Sequence, residues 1–96
     1  MNKIVPGTFA YPAIFHSEEN GGFMIEFPDI PGAYTGINDS DIPQGVAMAE
    51  EVLQMVLADM LDHGESLPVP TAMDNVLYDK GSFVRLIEIK ISPPSS

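Results

Sequence analysis

Residues 41–64 read DIPQGVAMAEEVLQMVLADMLDHG, and the helix they specify is the clearest element of the chain. Ile42, Val46, Ala49, Leu53, Val56, Leu57, Met60 and Leu61 recur at steps of three and four, the spacing of one apolar helix face. Asp41 is placed to cap the first turn, and Gln44 three residues on can complete a capping box. Gly64 is placed to end the helix, with His63 in the last turn and Pro68 beyond it. From Ile42 to His63 such a helix is roughly 33 Å long at 1.5 Å per residue. Pro43 is tolerated because first-turn amides have no partner within the helix. Gly45 is a weak point, costing about 1 kcal/mol relative to alanine.

On its N-terminal side the period changes from helical to alternating. Ala10–His16 has Tyr11, Ala13 and Phe15 against Pro12, Ile14 and His16, which predicts a strand. Pro12 has no amide hydrogen, so that strand is expected at a sheet edge or to begin there. The polar run 17–22 ends in Gly21-Gly22 and predicts a hairpin. Phe23–Phe27 predicts the second strand, with Phe23, Ile25 and Phe27 on one face and Met24 and Glu26 on the other. Pro28 and Pro31 flank Ile30 and break it, and Ala33–Gly36 is a short third strand.

On the C-terminal side, 67–72 is a Pro-containing connection. Asn75–Tyr78 is a candidate brief strand, and Asp79-Lys80-Gly81 a turn. Phe83–Ile91 is the last strand, with Ile87, Ile89 and Ile91 on one face and Glu88 and Lys90 on the other. Residues 92–96 form a polar Pro/Ser tail. The order is strand, strand, strand, helix, strand, with one short strand possible in addition. An antiparallel sheet with the long helix packed on one face buries both apolar surfaces, so the expected fold is a two-layer α+β sandwich. At 96 residues the expectation is one domain, 1–96, with its core in about 10–91.

Charge is the most informative bulk property. Fourteen Asp and Glu stand against four Lys and Arg, a formal net charge of -10. Nucleic-acid affinity comes largely from cations that displace counterions at phosphates. Lys3, Lys80, Arg85 and Lys90 cannot build a basic stripe, so direct nucleic-acid binding is not expected and a basic protein is the natural electrostatic partner. Solubility alone also favours an acidic surface. The chain has no cysteine, which removes disulfides and a thiol nucleophile and fits a reducing cytoplasm. Its N-terminus has no apolar targeting segment, and its long amphipathic stretch is too acidic to span a bilayer.

Catalytic chemistry finds no support in the residues. There is no glycine-rich phosphate loop and no close histidine pair. His63 has a structural use at a helix C-terminus, and His16 stands alone near a strand end. A two-metal nuclease would need several carboxylates converging on ions about 4 Å apart. Glu26 and Asp29 are near each other but separated by Pro28. Asp39 and Asp41 suit a turn and a cap, while Glu50, Glu51, Asp59 and Asp62 suit a solvated helix face. Met48, Met55 and Met60 are expected to pack. Tyr11, Tyr34 and Tyr78 lack the interleaved cations of a base-stacking surface, so packing is expected of them too. No metal, cofactor or catalytic residue is expected.

From Tyr11-Pro12-Ala13-Ile14-Phe15 onward the sequence resembles the HicB antitoxin family. The likeness continues through Gly21-Gly22-Phe23 and is most specific at Phe27-Pro28-Asp29-Ile30-Pro31-Gly32-Ala33. It runs through Ala49-Glu50-Glu51-Val52-Leu53, Leu61-Asp62-His63-Gly64-Glu65, Pro68-Val69-Pro70 and Gly81-Ser82-Phe83-Val84-Arg85-Leu86. The resemblance implies a partial RNase H-like fold without catalytic carboxylates and a non-enzymatic role. It implies a HicA-like partner, a small basic ribonuclease toxin with a double-stranded-RNA-binding-like fold, whose active site the antitoxin covers. Homodimers or larger assemblies are implied as well. Many members continue into an operator-binding segment, and a form ending at Ser96 is expected to lack it. Glu18, Glu19, Glu26 and Asp29 are the candidate partner-binding residues, with an open edge strand as an alternative mode. The alternative function is an orphan oligomeric regulator or RNA-associated module without a toxin.

Overall fold

The computed structural model describes residues 7–91; residues 1–6 and the expected tail, 92–96, lie outside the described residues. In chain order come β1 (Thr8–Ser17), β2 (Phe23–Glu26), β3 (Tyr34–Ile37), α1 (Ile42–Asp62) and β4 (Phe83–Lys90). The strands form one antiparallel sheet in the order β3-β2-β1-β4, with α1 packed on one face. This is the α+β architecture expected from the alternating and helical periods.

The place of β1 corrects one expectation, because Pro12 lies in an interior strand rather than at an edge. The β1–β2 register runs from Ser17↔Phe23 to Ile14↔Glu26. Two residues further, the same register would set Pro12 opposite Pro28. Neither proline has an amide hydrogen, so the ladder stops. Beyond that point β1 pairs only with β4, through Pro12↔Leu86 to Thr8↔Lys90. The proline is accommodated by ending one neighbour early.

Alternation puts Tyr11, Ala13 and Phe15 of β1, Ile25 of β2, and Ile87 and Ile89 of β4 on the inner face, where Ala49, Leu53 and Leu57 of α1 meet them. Each large side chain buried there contributes about 1.5–3 kcal/mol. Phe15 stacks on Phe83 at 4.7 Å between centroids, and Phe23 stands edge-on to both. The hairpin behaves as its sequence suggests. Glu18 N–H donates to Gly22 O and Gly21 N–H to Glu18 O, with Gly21 at φ +92°.

The helix ends carry two findings. Asp41 Oδ1 accepts from Gln44 N–H at 3.2 Å, but the return bond of a capping box comes from Asp39, whose Oδ1 accepts from Asp41 N–H at 3.0 Å. At the C-terminus Glu65 N–H donates to Met60 O and Gly64 N–H to Leu61 O, with Gly64 at φ +70°, a Schellman closure. His63 Nδ1 lies 2.8 Å from Asp59 O. That backbone hydrogen bond, with the Asp59 carboxylate beside it, raises the imidazole pKa above its ordinary value. Met55 and Leu61 are exposed, against the expectation that they pack: Met55 points away from the stripe of Ala49, Leu53 and Leu57, while Leu61 continues its four-residue step but sits in the last turn of the helix.

Gly45 also needs a different account. It is buried on the face of α1 that packs against the sheet. A Cβ there would stand 3.1 Å from Ile37 Cδ1 and Phe15 Cε2 and 3.2 Å from Ile25 Cδ1. Helix propensity alone would make Gly45→Ala stabilising by about 1 kcal/mol. Crowding against side chains from three strands reverses the sign, since overpacking costs about 1–3 kcal/mol. The expected result is a lower urea midpoint for the variant; a higher midpoint would mean the helix is not seated as closely as described.

Candidate functional site

The connection between α1 and β4 turns the sheet's outer face into a partly covered surface. Asn75–Tyr78 is not a strand. A single 3-10 turn, Met73–Asn75, is followed by Val76, which is buried and unpaired by any strand. A fifth strand would have to join an edge, whereas this segment lies against the face and bends its own backbone into local bonds. Asn75 N–H donates to Ala72 O and Val76 N–H to Met73 O. Val76 shares a cleft with Ile14, which points away from α1 yet is only 4% exposed. The middle of β1 is thus buried on both faces.

Two ties hold the connection in place. Tyr11, deep in the core, donates its hydroxyl proton to Pro68 O at 2.5 Å. Asp29 accepts from Thr71 through both carboxylate oxygens, from the backbone N–H at 2.8 Å and from the hydroxyl at 2.6 Å. Burial raises the Tyr11 pKa, and the Asp29 carboxylate adds to the rise. The protonated phenol is therefore the form the fold favours. Its stabilisation is complete below the unfolded pKa near 10 and is lost as pH rises through the higher folded value. In a pH series, wild type should lose more stability above pH ~10 than Tyr11→Phe does. Asp29→Ala, which strands both Thr71 donors, should cost about 1–3 kcal/mol. Faster amide exchange confined to the 68–77 connection would locate the loss; unchanged exchange there would remove Asp29 as its anchor.

The four candidate partner-binding residues fall into three settings. Glu18 and Glu19 are exposed in the β1–β2 hairpin. Glu26 is on the outer face of β2, its side chain 39% exposed, with Oε1 3.4 Å from His16 Nε2. Asp29 follows β2 in the loop and is engaged by Thr71. Glu26 and Asp29 do line one cleft, with Ile14, Thr71, Val76 and Leu77. The hairpin pair sits at the other end of β2, so the four do not form one patch. The sequence did not mark Thr71 at all, and it read Val76 and Leu77 as part of a brief strand rather than as lining of a cleft. Val76 and Leu77 are two of several apolar residues in the connection, with Leu67, Val69 and Met73, so hydropathy alone did not single them out.

Among the described residues, no three His, Asp or Glu side chains converge as a metal-binding group. No helix among them is long and apolar enough to cross a membrane. The outward side of α1 carries Glu50, Glu51, Asp59 and Asp62, all exposed, and no lysine or arginine occurs between Ile42 and Asp62. Among the described residues both ion pairs involve a histidine, so the carboxylates of this surface have no lysine or arginine partner within it.

Comparison with known proteins adds the following. The family model described as HicB-like antitoxin of bacterial toxin-antitoxin system matches residues 11–94. A search of curated protein sequences gives no match. A chain of a solved toxin-antitoxin complex from Streptococcus pneumoniae superposes with TM-score 0.72 at 20% identity, over 84% of this chain and 68% of that one. A chain of the HicA3 and HicB3 toxin-antitoxin complex is 26% identical, with TM-score 0.62, over 86% of this chain and 100% of its own. The N-terminal domain of Burkholderia pseudomallei antitoxin HicB gives TM-score 0.70 at 15% identity, with 86% and 100% covered. The likeness to the first and third is one of fold.

Proposed function

Because the chain belongs to the family of HicB-like antitoxins of bacterial toxin-antitoxin systems, we propose that it binds and masks a small basic RNA-cleaving toxin of the HicA type. The family match over residues 11–94 carries this reading, and the net charge of -10 supports it independently. An acidic surface whose carboxylates lack internal cationic partners attracts a basic protein and speeds their encounter. In this reading the chain is one HicB-like domain of partial RNase H-like type, works in the cytoplasm, assembles as a homodimer or larger oligomer, and has no catalytic activity of its own.

Glu18, Glu19 and Glu26 are the proposed charged contacts. Asp29 acts at one remove, by holding the connection that walls the cleft. Glu26→Lys and the pair Glu18→Lys with Glu19→Lys are expected to slow association with the toxin at low ionic strength. Rates that do not change would take those residues out of the interface.

The experiment that tests the function is affinity purification of the tagged chain from its own host, followed by mass spectrometry. A small basic protein recovered in stoichiometric yield is the expected result. Recovery of the chain alone, as a homo-oligomer, would favour an orphan regulatory module instead.

A further inference from the structure

Several exposed apolar side chains lie on the outer side of the sheet. Leu77 is 90% exposed, Leu86 on β4 53% and Tyr34 on β3 63%, with Met73 and Tyr78 nearby in sequence on the connection. Single exposed apolar residues are ordinary, but a group on one face marks an interaction surface. Within this face lies the cleft between the connection and the sheet. Its apolar floor is Ile14 and Val76, Leu77 forms its rim, and Glu26 and Asp29 are its acidic wall. Asp29 already accepts from Thr71 through both oxygens, which leaves Glu26 as the less engaged carboxylate of the two. Among the described residues the one ion-pair-range neighbour of Glu26 is the His16 imidazole, at 3.4 Å and without a hydrogen bond.

A half-exposed carboxylate above an aliphatic floor is complementary to a long alkyl stem ending in a cation. We propose that this cleft seats an arginine side chain of the protein partner, its methylenes on Ile14 and Val76 and its guanidinium on Glu26, with Leu77 packing beside it. Arginine fits better than lysine because its weakly hydrated planar head can give a carboxylate two parallel hydrogen bonds. A second copy of this chain fits poorly. It has only four Lys and Arg to offer against fourteen Asp and Glu, so a self-contact made elsewhere on the chain leaves this acidic cleft unfilled. The inference rests on the antitoxin reading, which supplies a basic partner, but it is testable without the toxin.

The probe is the capped tripeptide acetyl-Leu-Arg-Leu-amide, titrated to millimolar concentration into the ¹⁵N-labelled full chain at physiological ionic strength. Saturable shifts are expected at the amides of Ile14, Glu26, Val76 and Leu77. The same peptide with neutral citrulline in place of arginine, and the arginine peptide on Glu26→Gln, should each bind about three- to tenfold more weakly. Equal binding of the two peptides, equal binding by Glu26→Gln, shifts gathered instead on the carboxylates of α1, or no shifts at all would each overturn the assignment. A failed toxin capture alongside a positive titration would remove the antitoxin reading while leaving the cation site standing.

Discussion

Phe15→Ala is expected to remove about 3–5 kcal/mol of stability, the usual cost of truncating a fully buried phenylalanine. Phe15 has no exposed surface, stacks on Phe83, takes the edge of Phe23, and lies under Gly45 of α1. Through these contacts it joins the helix, β1, β2 and β4. A domain of this size has about 5–15 kcal/mol in all, so this one truncation removes a large share of the total. Urea denaturation of wild type and variant measures the difference directly. The Phe15–Phe83 stack itself should appear in a double-mutant cycle with leucine at both positions, as a coupling of about 0.5–1.5 kcal/mol. A total loss under about 1 kcal/mol would mean that the aromatic cluster is not the centre of the core.

Gly22→Ala should be comparably damaging for a different reason. Gly22 is buried where the hairpin passes the end of β3. A Cβ on it would lie 2.1 Å from Ile37 O and 2.9 Å from two atoms of Asn38, all of them backbone. Backbone cannot swing aside as a side chain can, so β3 must shift and the Phe23↔Ile37 pairing must go with it. A loss on the order of 3–4 kcal/mol follows. Its neighbour supplies the control. Gly21 has φ +92° but open space around its Cβ position, so Gly21→Ala carries only backbone strain of about 1–2 kcal/mol. Thermal denaturation of the two variants ranks them, and a larger loss at Gly21 would contradict the packing described for Gly22.

These two glycines mark how far the sequence could be read. Gly21-Gly22 declares a hairpin, yet nothing in the pair says that one is there for its φ and the other for its missing Cβ. Elements with a period were legible. Phe23 and Ile25 marked the inner face of β2, Phe27 a core residue just past its end, and Ala49, Leu53 and Leu57 the buried stripe of α1. Features that depend on what crosses over an element were not. Gly45 looked like a helix defect until Phe15, Ile25 and Ile37 were found against it. Pro12 argued for an edge because its opposition to Pro28 is set by register, which is a long-range fact. The connection was hardest of all. It has no period, so its ties from Thr71 to Asp29 and from Tyr11 to Pro68 emerge only with tertiary structure. The candidate site shares that limit. Glu26 and Asp29 could be named as acidic residues flanking a break, but the sequence did not distinguish the free carboxylate from the one engaged in holding a loop.

The most direct test of the central claim is a stoichiometric titration of RNA cleavage. The small basic protein released from the purified complex is refolded alone, and this chain is added back while cleavage of a single-stranded RNA is followed. The account predicts cleavage by the released protein, inhibition that is complete near molar equivalence, and no cleavage by this chain at any concentration. Cleavage that persists in excess of this chain, or RNA cleavage by the chain itself, would contradict it.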